Sequence, residues 1–256
     1  DYINPQLYWA TSTTSTNYNV LCEWWAKDVC EHFSNQLPDG KKVHFFISQA
    51  AYHAYDGYKG YDAGVGEIQK QIDVNRSNLS SGYTGSVFYN TSAYCKMYEQ
   101  LAQSHFTNKA LPPAMDWKAK QTLAAPTNLT LNGNTITWQH PEAERFTVYA
   151  YPLGLDFTTA QKTGKYLYKV VYGNSCDMNI KDLAHMTIAI CAYDRFGVEH
   201  GVALYNEGNF PDSDPHATEI TWILNGGKII ELVVPTNKQL WEKWKADYVE
   251  FYTNLL

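Results

Sequence analysis

The first half of the chain alternates between short stretches typical of strands and longer stretches in which apolar residues recur periodically. The strands are predicted at 1–9, 43–47 and 85–89, and the nearly continuous apolar run at 43–47 is typical of a strand that is buried on both faces. After each run, apolar residues recur at helical spacing, at 18–33, 66–79 and 93–106. A strand followed by a helix three times over favours a parallel sheet with right-handed crossovers.

The opening run combines a buried strand with polar and aromatic side chains. Tyr2, Ile3 and Leu7 suit a buried strand, whereas Pro5 cannot donate to a sheet ladder, so pairing should weaken there. The same stretch carries side chains of the types that bind sugars: Asn4, Gln6, Tyr8 and Trp9. In barrels of alternating strands and helices the ligand lies on the loops that follow the strands. The alternative is an ordinary strand end with a tryptophan packed beneath it.

The helical stretches also predict which side chains face the sheet. In the first helix the inward residues are expected to be Leu21, Trp24, Trp25, Val29 and Phe33. In the third helix they are expected to be Tyr94, Tyr98, Leu101, Ala102 and Phe106.

The pattern changes after a linker at 118–126, where short alternating runs replace the strand–helix order. The predicted strands are 127–131, 135–139, 146–151, 166–172, 176–180, 187–193 and 198–205. This density of short strands predicts a β-sandwich. A second linker at 210–216 precedes a predicted hairpin at 220–234 and a helix that begins near Thr236 with a capping-box pattern.

Composition narrows the range of functions. The formal net charge is −6 and no basic run is present, so nucleic acid is an unfavoured partner. The chain contains 20 Tyr, 8 Trp and 10 Phe, which suits stacking on sugars and suits large aromatic cores equally well. The five cysteines show no close pair, so we expect mostly buried thiols and at most one disulfide in an oxidising compartment.

Motifs for cofactors and membranes are missing from the sequence. The 8 His show no metal-ligand spacing, and neither a phosphate loop nor a nucleophile elbow occurs, so no metal and no cofactor are expected. No apolar run has the length of a membrane span, and no signal peptide is found. Because the chain starts at Asp1 rather than Met, we expect it to be processed or cut.

Four segments resemble the glycosyl hydrolase-like 10 family: residues 1–9, 47–52, 85–89 and 111–117. The similarity covers about residues 1–117, and it implies the sixth, seventh and eighth units of a (β/α)8 barrel. It also implies activity on glycans of the bacterial envelope. Residues 118–209 are similar to a fibronectin type III module, with Trp138 early and the segment 192–197 before the last strand. Ile188 lies where the usual corner tyrosine of that module is expected.

The expected fold class is therefore α/β plus all-β, in three parts. Residues 1–117 would form a partial TIM-barrel domain, 118–209 an immunoglobulin-like or fibronectin-like sandwich, and 210–256 a hairpin–helix segment that could begin a further module. A barrel closes with eight strands, and this chain supplies three. We therefore expect a C-terminal fragment of a longer protein, with the N-terminal barrel half supplied by the same parent chain or by another chain.

Glycoside hydrolysis usually needs two carboxylates beside the scissile bond. Asp56, Asp62 and Asp116 are the carboxylates nearest predicted strand ends, and none is assigned as catalytic. If the resemblance holds, the acid and base lie in the absent upstream strands. The residues expected to bind substrate are Gln6, Tyr8, Trp9, Gln49 and Tyr52, as amides for sugar hydroxyls and rings for stacking. For each, the alternative is structural: a buried amide that the backbone satisfies, or a core aromatic.

The first functional hypothesis is the C-terminal part of a bacterial cell-envelope glycoside hydrolase that acts on glycan, with peptidoglycan strands as one candidate. Its location would be the envelope or the secreted fraction, in the periplasm or on the outer surface. Alone, the chain should be inactive. The second hypothesis is a non-catalytic carbohydrate-binding or scaffold surface protein that presents its aromatic side chains.

Overall fold

The computed structural model describes residues 1–38, 41–78, 83–208 and 238–256, and in the last range it describes side chains from residue 244 onward. The chain forms two compact units. The first unit comprises Asp1–Thr107 and Leu111–Lys120, and the second comprises Asn108–Ala110 and Gln121–Leu256. The predicted hairpin at 220–234 lies outside the described residues.

The first unit is built on a parallel sheet whose central strand is β3. Its strands are β1 (Tyr2–Ile3), β2 (Gln6–Leu7), β3 (His44–Ala50) and β4 (Tyr83–Tyr89). Strands β1 and β2 pair with the same edge of β3 at one constant register, Tyr2 beside His44 and Gln6 beside Ser48. They are therefore a single strand that is interrupted around Pro5, which has no N–H to donate. Strand β4 pairs with the other edge of β3.

Helices cover one face of this sheet. They are α1 (Tyr18–Trp24), a π-helical segment (Trp25–Glu31), α2 (His32–Gln36), α3 (Val65–Ser77) and α4 (Thr91–Ser104). Asn17 and Asn90 cap α1 and α4, since the side-chain oxygen of Asn17 accepts from two N–H groups of the first turn and that of Asn90 accepts from one. One apolar cluster packs Phe45 and Ile47 of β3 against α1, and a second lies around Ile68 of α3 and Leu101 of α4.

The first helical stretch buries a different face from the predicted one. Its buried residues are spaced by four: Tyr18, Cys22, Ala26 and Cys30. Trp24 and Phe33, expected inside, are about half exposed. A spacing of four drifts around an α-helix, whereas the wider π-helical turn over Trp25–Glu31 keeps this row facing the sheet. In the third helical stretch, Leu101 is buried as predicted, whereas Tyr98 and Phe106 are exposed and Ala93 and Met97 of α4 are buried instead.

The opposite face of the sheet is open to solvent at its outer strands. Strand register places Tyr2, Val87 and Tyr89 on this face, where they are 69%, 39% and 56% exposed. Within the described residues, the outer edges of β1/β2 and β4 pair with no further strand. Parallel sheets are normally covered on both faces. Three strands do not test whether a barrel closes, so the partial (β/α)8 barrel stays a prediction.

The second unit contains two antiparallel sheets. One has the order β11–β10–β7–β8 and the other the order β5–β6–β9. Their bounds are β5 (Thr127–Asn132), β6 (Thr135–Gln139), β7 (Arg145–Pro152), β8 (Leu167–Tyr172), β9 (Ser175–Asp177), β10 (Met186–Tyr193) and β11 (Glu199–Tyr205). Both sheets share one apolar core, to which α6 (Lys238–Thr253) adds Tyr248 and Tyr252. The fibronectin-like subtype stays a prediction.

Strands β7 and β10 are buried on both faces, which an alternating pattern does not predict. The side of β7 that points away from the shared core carries Tyr149, whose hydroxyl donates to Glu199 at 2.9 Å. Glu199 also accepts from Thr147 and, at 2.8 Å, from Gln161 of the short helix α5 (Phe157–Gln161). Burial and the Glu199 charge raise the pKa of Tyr149, so its phenol stays protonated and keeps donating.

All five cysteines lie in the described part of the chain, and all are free thiols. The disulfide considered for an oxidising compartment is therefore not formed. Burial raises the pKa of Cys22 and of Cys191 to about 12, which makes both poor nucleophiles. Among the described residues, no helix has the length and apolar character needed to cross a bilayer.

Asp194 organises the turn between β10 and β11. One carboxylate oxygen accepts from the N–H groups of Phe196 and Val198, at 2.8 and 2.9 Å, and the other lies 3.1 Å from Nε2 of His200. Burial alone would raise the pKa of Asp194, but these hydrogen bonds hold it below its ordinary value of 3.8.

We expect this turn to weaken in acid. A carboxyl whose pKa is depressed by folding contributes stability that is present above the unfolded pKa and is lost as the pH falls through the folded pKa. At pH 7 the second unit of the unaltered protein should therefore have a larger free energy of unfolding than that of the Asp194→Asn variant. This difference in free energy should shrink as the pH falls below 3.8. Urea unfolding of both proteins across this range measures the gap, and a constant gap would contradict the assignment.

Candidate functional site

Three tyrosines meet at the carboxyl ends of the strands in the first unit. Tyr8 directly follows β2, Tyr89 ends β4, and Tyr52 lies two residues beyond β3. The rings of Tyr8 and Tyr89 stack with their centroids 6.2 Å apart and their planes 21° apart. Tyr52 stands edge-on to both, at 6.2 Å from Tyr8 and 5.9 Å from Tyr89. We call these three residues the tyrosine cluster.

The tyrosine cluster offers apolar ring faces and neutral hydroxyls in one place. Burial raises the pKa of Tyr8 and of Tyr52, and neighbouring ionisable groups add to both shifts. Both phenols therefore stay protonated near neutral pH, and each can donate and accept a hydrogen bond. Gln6 lies on the same sheet face and is exposed, so its amide is free to contact a ligand. Such a set suits a neutral polyhydroxylated molecule.

The structure places Gln49 and Trp9 elsewhere. Gln49 is fully buried on the helix side of β3, where its Nε2 donates to Gln71 and its Oε1 accepts from Asn75, both at 3.3 Å. Trp9 packs against the apolar cluster between the sheet and α1, and its carbonyl accepts from Gln71 at 3.3 Å. Trp9 is placed as the structural alternative expected, and Gln49 is buried as expected there, although side chains rather than the backbone satisfy its amide. Gln6 and Tyr8 lie on the open face, and the Tyr52 ring meets Tyr8 there. The role of all five predicted residues in binding stays a prediction.

Tyr89 belongs to the cluster and is missing from the residues predicted to bind. The sequence held a usable signal, since the strand predicted at 85–89 ends at Tyr89. Alternation along that strand places Val87 and Tyr89 on one face and Ser86 and Phe88 on the other. Pairing with β3 then brings Tyr89 beside Ala50, next to the loop that carries Tyr52.

A histidine–aspartate pair lies in the loop that follows β3. His53 Nδ1 and Asp56 Oδ2 are 2.8 Å apart, and the second oxygen of Asp56 accepts from the N–H of Tyr58 at 3.0 Å. Burial alone would raise the pKa of Asp56, but the hydrogen bonds from His53 and Tyr58 lower it below its ordinary value. A carboxyl held in its ionised form is unsuited to donate a proton to a leaving group.

Three other carboxylates in the described part of the first unit have surroundings that differ from those of Asp56. Asp62 is exposed in the same loop. Asp116 adjoins Trp117, whose ring lies 5.4 Å from His44 at the start of β3, so Asp116 belongs to the amino end of the sheet. Glu67 is buried and accepts from the Thr11 N–H at 2.6 Å and from its hydroxyl at 3.0 Å, which ties α3 to the loop after β2. In the part of the chain that the structure describes, no three potential metal ligands cluster.

Comparison with known proteins identifies relatives that are named glycosyl hydrolases. The chain is 28% identical over 160 residues to glycosyl hydrolase YngK of Bacillus subtilis (strain 168), a match that covers 59% of this chain and 29% of the relative. It is 29% identical over 114 residues to glycosyl hydrolase DigH of Escherichia coli (strain K12), covering 43% of this chain and 24% of that protein. DigH of Shigella flexneri matches to the same extent.

The chain spans less than a third of the length of these curated relatives. No protein-family profile matches it, and no solved structure matches it. Membership of the glycosyl hydrolase-like 10 family and the fibronectin type III module therefore stay predictions. The similarities in sequence establish a glycosyl hydrolase-like relationship for this chain.

Proposed function

We propose that this chain is the C-terminal part of a bacterial cell-envelope glycoside hydrolase, and that it lines one side of the cleft that binds the glycan. The tyrosine cluster at the carboxyl ends of three parallel strands is the observation that carries the proposal. In parallel α/β folds, ligands bind outside the carboxyl ends of the strands. The relationship to proteins named glycosyl hydrolases supports a glycan as the ligand.

The open margins of the sheet support a shared cleft. Strand β4 exposes an unpaired outer edge within the described residues, and its face carries the exposed Val87 and Tyr89. An edge strand without a neighbour presents unpaired N–H and C=O groups, which favours pairing with a further strand. We infer that the N-terminal barrel strands, from the same parent chain or from another chain, cover this face and complete the cleft.

The catalytic carboxylates of this proposal lie outside the chain. Asp56 is engaged by His53 and Tyr58, and Asp116 is at the wrong end of the sheet. Since hydrolysis needs an acid and a base flanking the scissile bond, the cleft residues of this chain supply binding. The proposed location is the bacterial envelope or the secreted fraction, in the periplasm or on the outer surface, and peptidoglycan strands are one candidate substrate.

The test is binding without turnover. We expect the chain to bind at least one of three neutral oligosaccharides, chitotetraose, cellotetraose or xylotetraose, in a calorimetric titration. Tyr8→Ala should weaken the affinity about fivefold, because one aromatic contact is worth ~1 kcal/mol. Tyr172→Ala, which removes an exposed ring from β8 in the second unit, is the matched control and should leave the affinity unchanged.

Two results would contradict the proposal. Robust release of reducing ends by the chain alone would show that it holds its own catalytic pair. If the chain bound none of the three oligosaccharides, its proposed role in binding a glycan would be rejected.

A non-catalytic carbohydrate-binding or scaffold surface protein is the second candidate. The tyrosine cluster offers rings for binding, and the nearby carboxylate of Asp56 already accepts hydrogen bonds from His53 and Tyr58. Binding without catalysis is therefore the second reading of the same residues. Hydrolysis of a bound oligosaccharide by the intact parent protein separates the two candidates, since only the first predicts turnover there.

A further inference from the structure

His53 is enclosed by aromatic rings in the loop after β3. Its side chain is 10% exposed. Tyr58 stacks on it, with centroids 3.8 Å apart and planes 22° apart, and Tyr52 lies against it at 4.2 Å. Tyr61 is 5.3 Å away. The imidazole therefore lies between Tyr52, which belongs to the tyrosine cluster, and the loop residues Tyr58 and Tyr61.

Asp56 fixes the orientation of this imidazole. A carboxylate only accepts hydrogen bonds, so the proton between Asp56 Oδ2 and His53 Nδ1 lies on Nδ1. The other oxygen of Asp56 holds the backbone N–H of Tyr58 at 3.0 Å. One side chain thus sets both the plane of His53 and the position of the residue that stacks on it.

Ring contacts and apolar packing hold Tyr52 in position. Among the described residues, the Tyr52 hydroxyl makes no hydrogen bond to protein, and its ring packs partly against the apolar cluster around Ile68 and Leu101. Tyr8 and Tyr89 contact it edge-on, and His53 supports it at 4.2 Å. A change in the plane of His53 therefore moves the one ring of the tyrosine cluster that the loop supplies.

We propose that Asp56 and His53 are positioning residues that hold Tyr52 in the orientation the glycan site requires. The inference rests on the proposed function and deepens it, because it assigns the tyrosine-rich loop the task of setting the geometry of that site. The depressed pKa of Asp56 supports it, since the carboxylate stays ionised and keeps accepting at neutral pH. Asp56 acts through His53 and Tyr52 and makes no contact with the sugar.

The experiment follows Tyr52 with and without ligand, in the full chain. 3-Fluorotyrosine is incorporated, the Tyr52 ¹⁹F signal is assigned with Tyr52→Phe, and affinity for the three oligosaccharides is measured by calorimetry. Asp56→Ala should shift or broaden the Tyr52 signal and weaken binding about tenfold, as expected for losing a hydrogen bond to a charged group. Asp56→Asn, which keeps an acceptor, should restore most of both readouts. Asp62→Ala changes the charge of the same loop equally and should alter neither.

The two readouts separate this inference from the proposed function. If Asp56→Ala leaves the Tyr52 signal unchanged, the positioning role is overturned whatever the binding shows. If the signal changes and the affinity of a chain that binds does not, the role in the glycan site is overturned while the proposed function stands. If the unaltered chain binds none of the oligosaccharides, the proposed function fails and the inference falls with it. A shifted signal together with weakened binding and rescue by Asn supports the inference.

Discussion

Replacement of Asn75 by leucine should destabilise the first unit by about 3 kcal/mol, since each buried polar group left without a partner costs about 1–3 kcal/mol. Asn75 lies fully buried on α3, between the sheet and α1. Its Oδ1 accepts from the Tyr18 hydroxyl at 2.9 Å, and its Nδ2 donates to Gln49 Oε1 at 3.3 Å. Leucine has a similar shape and neither group, so the Tyr18 hydroxyl and the Oε1 atom of Gln49 would both stay buried without this partner.

The effect should extend beyond one pair because Asn75 belongs to a continuous buried network. Gln49 donates to Gln71, and Gln71 in turn donates to the Tyr61 hydroxyl at 2.9 Å. Polar networks of this kind stabilise a core when every member is satisfied, and a partly satisfied network is worse than an apolar one. Loss of Asn75 should therefore also loosen the loop that carries Tyr61.

Gln69→Leu on the same helix is the matched control. Gln69 donates to Ser104 at 3.0 Å at an exposed position, so its loss should cost less than about 0.5 kcal/mol. Guanidinium unfolding gives the free energies, and hydrogen exchange read by mass spectrometry on peptides of α3 and β3 confirms that the first unit is affected. Equal stability of the two variants would show that the network contributes nothing specific.

The order and type of the elements in the first unit were accessible from sequence because periodicity reports burial directly. The run at 43–47 overlaps the observed β3, the run at 85–89 lies within β4, and the helices predicted at 66–79 and 93–106 overlap α3 and α4. The interruption at Pro5 followed from one covalent fact, the missing N–H.

The buried face of the first helix was not accessible from an α-helical period. A π-helical turn changes the number of residues per turn, and it exchanged the large aromatics Trp24 and Phe33 for small residues such as Ala26 at the sheet. Similarly, β7 and β10 are buried on both faces, whereas strands of antiparallel sheets are commonly buried on one. Glu199, distant in sequence, provides hydrogen bonds for Thr147 and Tyr149 on the second face and so permits their burial.

For the candidate site, sequence located the strand ends and could not assign the direction of each side chain. Gln6 and Tyr8 lie on the open face, whereas Gln49 points into the polar network behind the sheet. In a parallel strand that is buried on both faces, an amide looks the same in sequence whether it faces helix or ligand. The direction follows from register: once Phe45 and Ile47 are known to face the helices, Gln49 must face them too.

In the second unit, Phe146→Ala should cost about 3–5 kcal/mol, the range for truncating a buried phenylalanine. Phe146 on β7 is fully buried in the core that the two sheets share, and its ring meets Trp138 edge-on at 5.2 Å. This cost is the sum of two terms: the free energy of burying the phenyl ring that is lost, and the penalty for the cavity that remains where the ring was.

Tyr172→Ala is the control: it removes an aromatic ring from the adjacent strand β8, where Tyr172 is 76% exposed, and it should cost less than about 1 kcal/mol. Urea unfolding followed by tryptophan fluorescence measures both, and hydrogen exchange on peptides of β7 assigns the transition to the second unit. A Phe146→Ala cost no larger than that of Tyr172→Ala would mean that this core is not what holds the two sheets together.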